Sequence, residues 1–285
     1  MMIVERVNKK ILALHFSKSA ESYDSLAHLQ REIAYQLVDW ALAGENIRPG
    51  KLRVLEIGCG TGFLTCFLIQ RIVPELLVAV DLAHGMLDQA RLNLSESLTR
   101  VELVRADGEK LPFPGRSFDL VASSTTFQWF DSLGESLSGL YALLRPGGRI
   151  FFSTLGRDTL KELKESYRSS AGQMGIKLTA GRYGRPLAGP QEIKDCLENT
   201  GYTEVSVKEM FKFEFFPSAR DFLLSLKKSG ANNPNFRPMS LPVERKLLEK
   251  VTSFYDKRYR VDGSVYASYQ VIFASGKKPG GADGA

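Results

Sequence analysis

The chain has 285 residues, 44% hydrophobic and 25% charged, a globular composition that fits one domain with a local elaboration. Lys and Arg number 38 against 32 Asp and Glu, a formal net charge of +6 with a pI near 9.1 that favours anionic partners. No apolar stretch approaches the roughly eighteen residues of a membrane span, no basic run is interleaved with aromatics, and Met1 to Phe16 lacks the apolar core of a secretory signal. The expectation is a cytoplasmic protein without membrane or nucleic-acid partners. Cys59, Cys66 and Cys196 are odd in number and lack metal-ligand spacing, so reduced structural thiols and no bound metal are expected.

Helical spacing runs from His15 to Leu42 with few breakers before Pro49-Gly50, giving a helical lead-in over 1–48. Leu52 to Ile57 is a short apolar strand ending in glycines, and Phe63 to Ile72 reads as a helix closed by Pro74. Leu77 to Val80 is a second strand ending at Asp81, followed by a helix from about Gly85 to Ser97 and a third strand at Val101 to Val104. Phe118 to Ala122 makes a fourth strand, Leu133 to Leu144 a helix stopped by Arg145-Pro146-Gly147-Gly148, and Arg149 to Ser153 a fifth strand. This alternation calls for parallel βαβ units with right-handed crossovers. Beyond it come a helix at Asp158 to Ala171, a Gly/Arg-rich loop, a helix at Gln191 to Thr200 and a long strand at Thr203 to Phe216. A helical insertion over about 218–257 surrounds an Asn/Pro loop, Val265 to Ala274 supplies a seventh strand, and 276–285 reads as a disordered tail.

Between the first strand and its helix stands Glu56-Ile57-Gly58-Cys59-Gly60-Thr61-Gly62. Glycine is required where the chain turns sharply and a ligand must approach the backbone without a Cβ in the way. A dinucleotide fingerprint would need a third glycine at position 63, where Phe63 stands, so the pyrophosphate reading weakens and a nicotinamide dehydrogenase is disfavoured. Glu56 is unexpected in an apolar strand unless it meets a cationic or donor-rich partner, such as the ammonium of a bound amino-acid group. Asp81 sits where a carboxylate accepts from ribose hydroxyls, though helix capping explains it equally well. Asp107-Gly108 offers an acceptor for an adenine amino group and a backbone N–H for a ring nitrogen. Three acids at the ends of successive strands fit ligand binding at the carboxyl edge of an open sheet.

These segments resemble the class I methyltransferases: VLEIGCGTG for the glycine turn, VDLAHGML for the ribose strand, RADGEKLPF for the adenine loop, then FDLVASS and LRPGGRIFFST. The resemblance implies a Rossmann-like α/β fold, a doubly wound seven-stranded mostly parallel sheet with an N-terminal helical lid over a domain spanning 49–275. It also implies the cofactor S-adenosylmethionine, with S-adenosylhomocysteine as product. Cofactor contacts then fall on Glu56, Gly58, Cys59, Gly60, Gly62, Asp81, Leu82, Met86, Asp107, Gly108, Ser123 and, from the lid, Gln30.

The opening Phe16 to Gln30, Phe127-Gln128-Trp129, Phe152 to Gly156, Leu223 to Ala231 and Tyr269 to Ala274 further resemble the malonyl-[acyl-carrier protein] O-methyltransferases of biotin synthesis. That family methylates the free carboxylate of a malonyl thioester on acyl-carrier protein. A carboxylate is ionised at neutral pH, so no general base is required and positioning is the main task; Tyr23, Gln128 and Trp129 are positioning candidates. Tyr23, Arg182 and Arg185 are candidates for the substrate carboxylate, although Tyr23 also fits as core and loop arginines as solvated charge. Lys161, Lys164 and Arg168, with Lys227 and Lys228, are candidates for docking an acidic carrier or simply solvated faces. Rival readings are a methyltransferase acting on a free small carboxylate such as trans-aconitate or on a quinone ring, and a cofactor-binding assembly factor or pseudoenzyme.

Overall fold

The structure, a computed structural model, describes residues 6–43, 49–178, 186–236 and 239–280. Two helices lead in, α1 (Lys9–Leu26) and α2 (His28–Ala41). Asn8 caps α1 by accepting from the Ile11 N–H at 3.1 Å. The expected single helix from His15 therefore starts earlier and is broken at Ala27, which is fully buried and turns the chain with its N–H on the Tyr23 carbonyl. No glycine or proline marks this break; burial of Ala27 stabilises a turn that local propensity does not signal.

The sheet strands are β1 (Arg53–Ile57), β2 (Leu76–Asp81), β3 (Val101–Arg105), β4 (Phe118–Ser123), β5 (Leu144–Leu155), β6 (Thr203–Phe216), β7 (Arg260–Val261) and β8 (Ser264–Lys277). Their order is β3-β2-β1-β4-β5-β8-β6, and the two-residue β7 pairs with β8. The first five run parallel, while β8 is antiparallel to both β5 and β6. The main path has the seven strands expected, and the short return of the β7–β8 hairpin beside it, too brief to carry a period, makes an eighth. Nor is the tail disordered from residue 276: β8 continues to Lys277, and the Lys278 ammonium donates to the Tyr141 and Leu144 carbonyls at 2.8 and 2.9 Å. Residues 281–285 lie outside those described.

The intervening helices are α3 (Phe63–Ile72), α4 (His84–Asn93), α5 (Leu133–Leu143), α6 (Lys161–Gln173), α7 (Pro190–Thr200), α8 (Ala219–Lys228) and α9 (Leu241–Arg258). Successive strand residues face opposite layers, and both layers are apolar because the sheet is covered on both sides. Val54, Phe151 and Phe273 pack with α2, α3 and the insertion through Leu37, Leu68, Phe222 and Tyr255; Leu55, Phe152 and Ile272 pack with α5 and α7 through Leu137 and Leu197. The strand order reverses between β1 and β4, which opens a crevice at their carboxyl ends.

Candidate active site

A cleft occupies that crevice, lined by α1, the glycine turn and the loops that follow β2, β3 and β4. Its floor is the glycine turn after β1. The Gly58 and Cys59 N–H groups both bond the Val80 carbonyl, at 2.7 and 3.0 Å, which fastens the turn to the end of β2. Gly58 (φ 69°) and Gly60 (φ 55°) adopt left-handed conformations. A Cβ at Gly58 would run into the Thr126 side chain, whereas at Gly60 it would meet nothing within 4 Å, so Gly60 leaves its backbone bare to the cleft.

Asp81 closes the turn from the other side, one carboxylate oxygen accepting from the Gly60 N–H at 2.9 Å and the other from Ala83 at 2.8 Å. Capping of the following turn and ligand binding are thus compatible, because a carboxylate has about four acceptor positions and these bonds fill two. Burial pushes the Asp81 carboxyl up from its ordinary value, and the backbone donors oppose this. Asp107 lies at the far end, and both its oxygens stand 2.6 Å from the Lys9 ammonium of α1. Lys9 also pairs with Glu109, whose other oxygen holds the N–H groups of Asp131 and Ser132. Burial alone would lower the Lys9 pKa, but its hydrogen bonds to Asp107 and Glu109 outweigh this and hold it above the ordinary lysine value.

Helix α1 roofs the cleft with Lys9, Leu12, Ala13, Phe16 and Tyr23. Phe16 packs edge-on against Tyr23 and Trp129, with centroids 6.4 and 5.9 Å apart, and makes an aromatic wall with Phe130 near the glycine turn. Burial, with Asp81 and Asp24 nearby, raises the Tyr23 phenol far above its ordinary pKa and keeps it a hydrogen-bond donor.

Of the residues expected at the site, Tyr23, Gly58, Gly60, Asp81, Leu82, Met86, Asp107, Gly108 and Trp129 line the cleft. Others do not reach its wall. Glu56 is fully buried beneath the turn, one oxygen accepting from Thr65 of α3 at 2.7 Å and the other without a partner; burial pushes its carboxyl up to about 8. Ser123 is spent on the Ile57 carbonyl at 2.8 Å, Gln128 bonds Thr125 and Thr154, and Gln30, Cys59 and Gly62 are not among the lining residues. Gly62 instead begins α3. Arg182 and Arg185 lie outside the described residues. Sequence reasoning missed Lys9, Thr126 and Phe130 and gave Phe16 no role at the site, although Phe16 opens the motif that marks the lead-in. Lys9 meets Asp107 across 98 positions, a contact no local pattern encodes.

Among the described lining residues the titratable ones are Lys9, Tyr23, Asp81 and Asp107. Lys9 is paired, Tyr23 is held protonated, and both acids are hydrogen-bonded to main chain or Lys9. This set suits a nucleophile that arrives already ionised.

Residues 55–152 match the family model described as a methyltransferase domain. Over 278 residues the chain is 35% identical to the malonyl-[acyl-carrier protein] O-methyltransferase of Acetivibrio thermocellus, covering 95% of each chain. Its identity to the enzyme of the same name from Priestia megaterium is 30% over 272 residues, 93% of this chain and 96% of that one. Haemonchus contortus phosphoethanolamine N-methyltransferase 2, solved with S-adenosyl-L-methionine, superposes with a TM-score of 0.54 at 21% identity, over 86% of this chain and 52% of that one, a likeness of fold.

Proposed function

Because the chain belongs to the malonyl-[acyl-carrier protein] O-methyltransferase family, we propose that it methylates the free carboxylate of a malonyl thioester carried by acyl-carrier protein, using S-adenosylmethionine, in biotin synthesis. The observation that carries the reading is the cleft at the β1–β4 switch point, in which two hydrogen-bonded acids flank a bare glycine backbone and no free base is present among the described lining residues.

The residues fit the cofactor. Gly60 offers uncovered backbone, and the unpartnered oxygen of buried Glu56 lies just beneath the turn, an orphan acceptor of the kind an ammonium group would satisfy. In this assignment Gly58 and Gly60 border the amino-acid portion, Asp81 accepts from the ribose hydroxyls, Asp107 and Gly108 hold the adenine edge, and Leu82 and Met86 flank the base. S-adenosylmethionine, when bound, supplies an electrophilic methyl group and a sulfonium that takes the bonding electron pair.

What the chain contributes is position and dryness. The neutral Tyr23 hydroxyl donates to the substrate carboxylate, and Phe16, Trp129 and Phe130 exclude water, which strengthens attraction between the carboxylate and a cationic cofactor. No proton is transferred, because the product is a neutral ester formed from an anion.

The test is mass spectrometry of malonyl-carrier protein after incubation with enzyme and S-adenosylmethionine. One added methyl is expected, with free malonate, trans-aconitate and a quinol unchanged. Methylation of one of those and not of the carrier would replace this reading.

A further inference from the structure

Helix α1 presents two faces with opposite duties. Leu12, Ala13 and Phe16 line the cleft. On the outer side Ile11, Leu14 and Lys18 fall at i, i+3 and i+7, one stripe along the helix, and Leu14 is 50% exposed. Between these faces, His15 and Ser19 meet the end of α8, because Gly230 lies against them so closely that a Cβ there would come within 2.6 Å of the Ser19 hydroxyl. The loop after α8 is tied to the same helix end, with Asn235 accepting from the Asn8 N–H at 2.8 Å and donating to the Arg6 carbonyl at 2.7 Å.

The exposed side of α8 carries Leu224, Lys227 and Lys228, again at i, i+3 and i+4, and Phe236 is 42% exposed in the loop that follows. The joined surface is apolar in the middle with Lys10, Lys18, Lys227 and Lys228 around it, and the exposed acids Glu21 and Asp221 lie at its margins. Residues 9–20 and 222–236 contain no Asp or Glu, in a chain with 32 of them. Lys10, Lys18, Lys227 and Lys228 are exposed and make no ion pair among the described residues. The alternative basic face on α6 is already engaged: Lys164 donates to the Arg157 carbonyl at 2.7 Å, Lys161 stands over the Phe211 ring at 5.6 Å, and Glu165 is exposed between Lys161 and Arg168.

We infer that the outer face of α1 together with Leu224, Lys227 and Lys228 of α8 is the docking surface for the acidic carrier domain that bears the thioester. The inference rests on the substrate proposed above. Unpaired cations around exposed apolar side chains complement an acidic helix with an apolar seam, and desolvating uncommitted lysines sacrifices no existing partner. The position also suits delivery. The surface and the cleft lie on opposite sides of one helix, about 10–12 Å across, a span that a carrier's flexible thioester arm covers. Docking on the roof also places the carrier on the element that supplies Phe16 and Tyr23 to the cleft.

The experiment compares the native protein with K18E/K227E/K228E, using malonyl-carrier protein and the malonyl thioester of N-acetylcysteamine as substrates. The triple variant is expected to raise KM for the carrier substrate by about tenfold or more, equivalent to about 1.4 kcal/mol or more. Its kcat, its affinity for S-adenosylhomocysteine and its KM for the small thioester stay unchanged. Leu14→Gln, which alters no charge, is expected to raise the carrier KM in the same selective way. An unchanged carrier KM in both variants, or a selective rise seen instead in K161E/K164E, overturns the assignment. Equal losses on both substrates overturn it too, since the lysines would then act on the site. Failure of the native protein to methylate malonyl-carrier protein at all would instead remove the functional reading.

Discussion

The Lys9 ammonium stands 2.6 Å from each carboxylate oxygen of Asp107, so the first turn of α1 is bonded to the loop that follows β3. With Glu109 on the same ammonium, one cation is shared by two acids at that end of the cleft. The roof of the cleft is thereby anchored at its amino end.

Lys9→Met leaves Asp107 and Glu109 facing each other without their cation, and is expected to lower stability by about 1–3 kcal/mol. Adding Asp107→Asn returns part of that loss, which a double-mutant cycle by thermal denaturation reads directly. Because the folded pKa of Lys9 is raised, its contribution is fully present below the ordinary lysine value near 10.5 and disappears only as pH climbs through the higher folded value. Melting differences measured at pH 6 and pH 9 should therefore agree.

Glu56 reports on the cofactor. Burial raises its carboxyl to about 8, so its folded-state contribution is fully present below about 4.5 and is lost as pH rises through 8. Glu56→Gln is expected to stabilise the ligand-free protein relative to native at pH 9 and to weaken binding of S-adenosylhomocysteine. An ammonium settling beside the carboxyl favours its charged form, so binding at pH 7 should release protons. Calorimetry in two buffers of different ionisation enthalpy measures this, and identical heats would deny Glu56 the role.

Two glycines of the turn separate fold from function. An alanine at either pays about 1–2 kcal/mol for a left-handed backbone. At Gly58 the methyl also collides with Thr126, so Gly58→Ala loses both stability and ligand affinity. Gly60→Ala has open space around its Cβ and is expected to fold with only the backbone cost while losing ligand affinity, as melting and equilibrium binding would show.

Gly85 in α4 lies away from the cleft lining, yet a Cβ there would approach the Ser17 carbonyl to 2.5 Å. Gly85→Ala favours α4 by helix propensity but pushes α1 outward. Weaker S-adenosylhomocysteine binding and faster hydrogen exchange in residues 9–26 are expected, although no residue of the cleft has changed.

Tyr23→Phe removes only the hydroxyl. If that group holds the substrate carboxylate, kcat/KM for the malonyl thioester falls by about 10- to 100-fold, the worth of a hydrogen bond to a charged group. Affinity for S-adenosylhomocysteine, which lacks that carboxylate, should stay within about twofold by titration. A similar loss in both would make Tyr23 part of the cofactor wall.

The sequence by itself determined the strands and the glycine turn. Apolar runs of five or six residues bounded by Gly, Pro and Asp can be buried only in a sheet covered on both faces, and the alternation with helices sets the parallel order. It also determined that Asp81 and Asp107 share one edge with Gly58 and Gly60, because parallel strands all end on the same side. Only the tertiary structure decided what those residues face. Glu56 turned under the turn to Thr65, Ser123 was spent on a carbonyl, Lys9 reached Asp107, and Ala27 broke a helix that no local signal divides. Each depends on groups far apart in the chain meeting at hydrogen-bond distance, and burial decides such meetings through the whole packing arrangement rather than through periodicity.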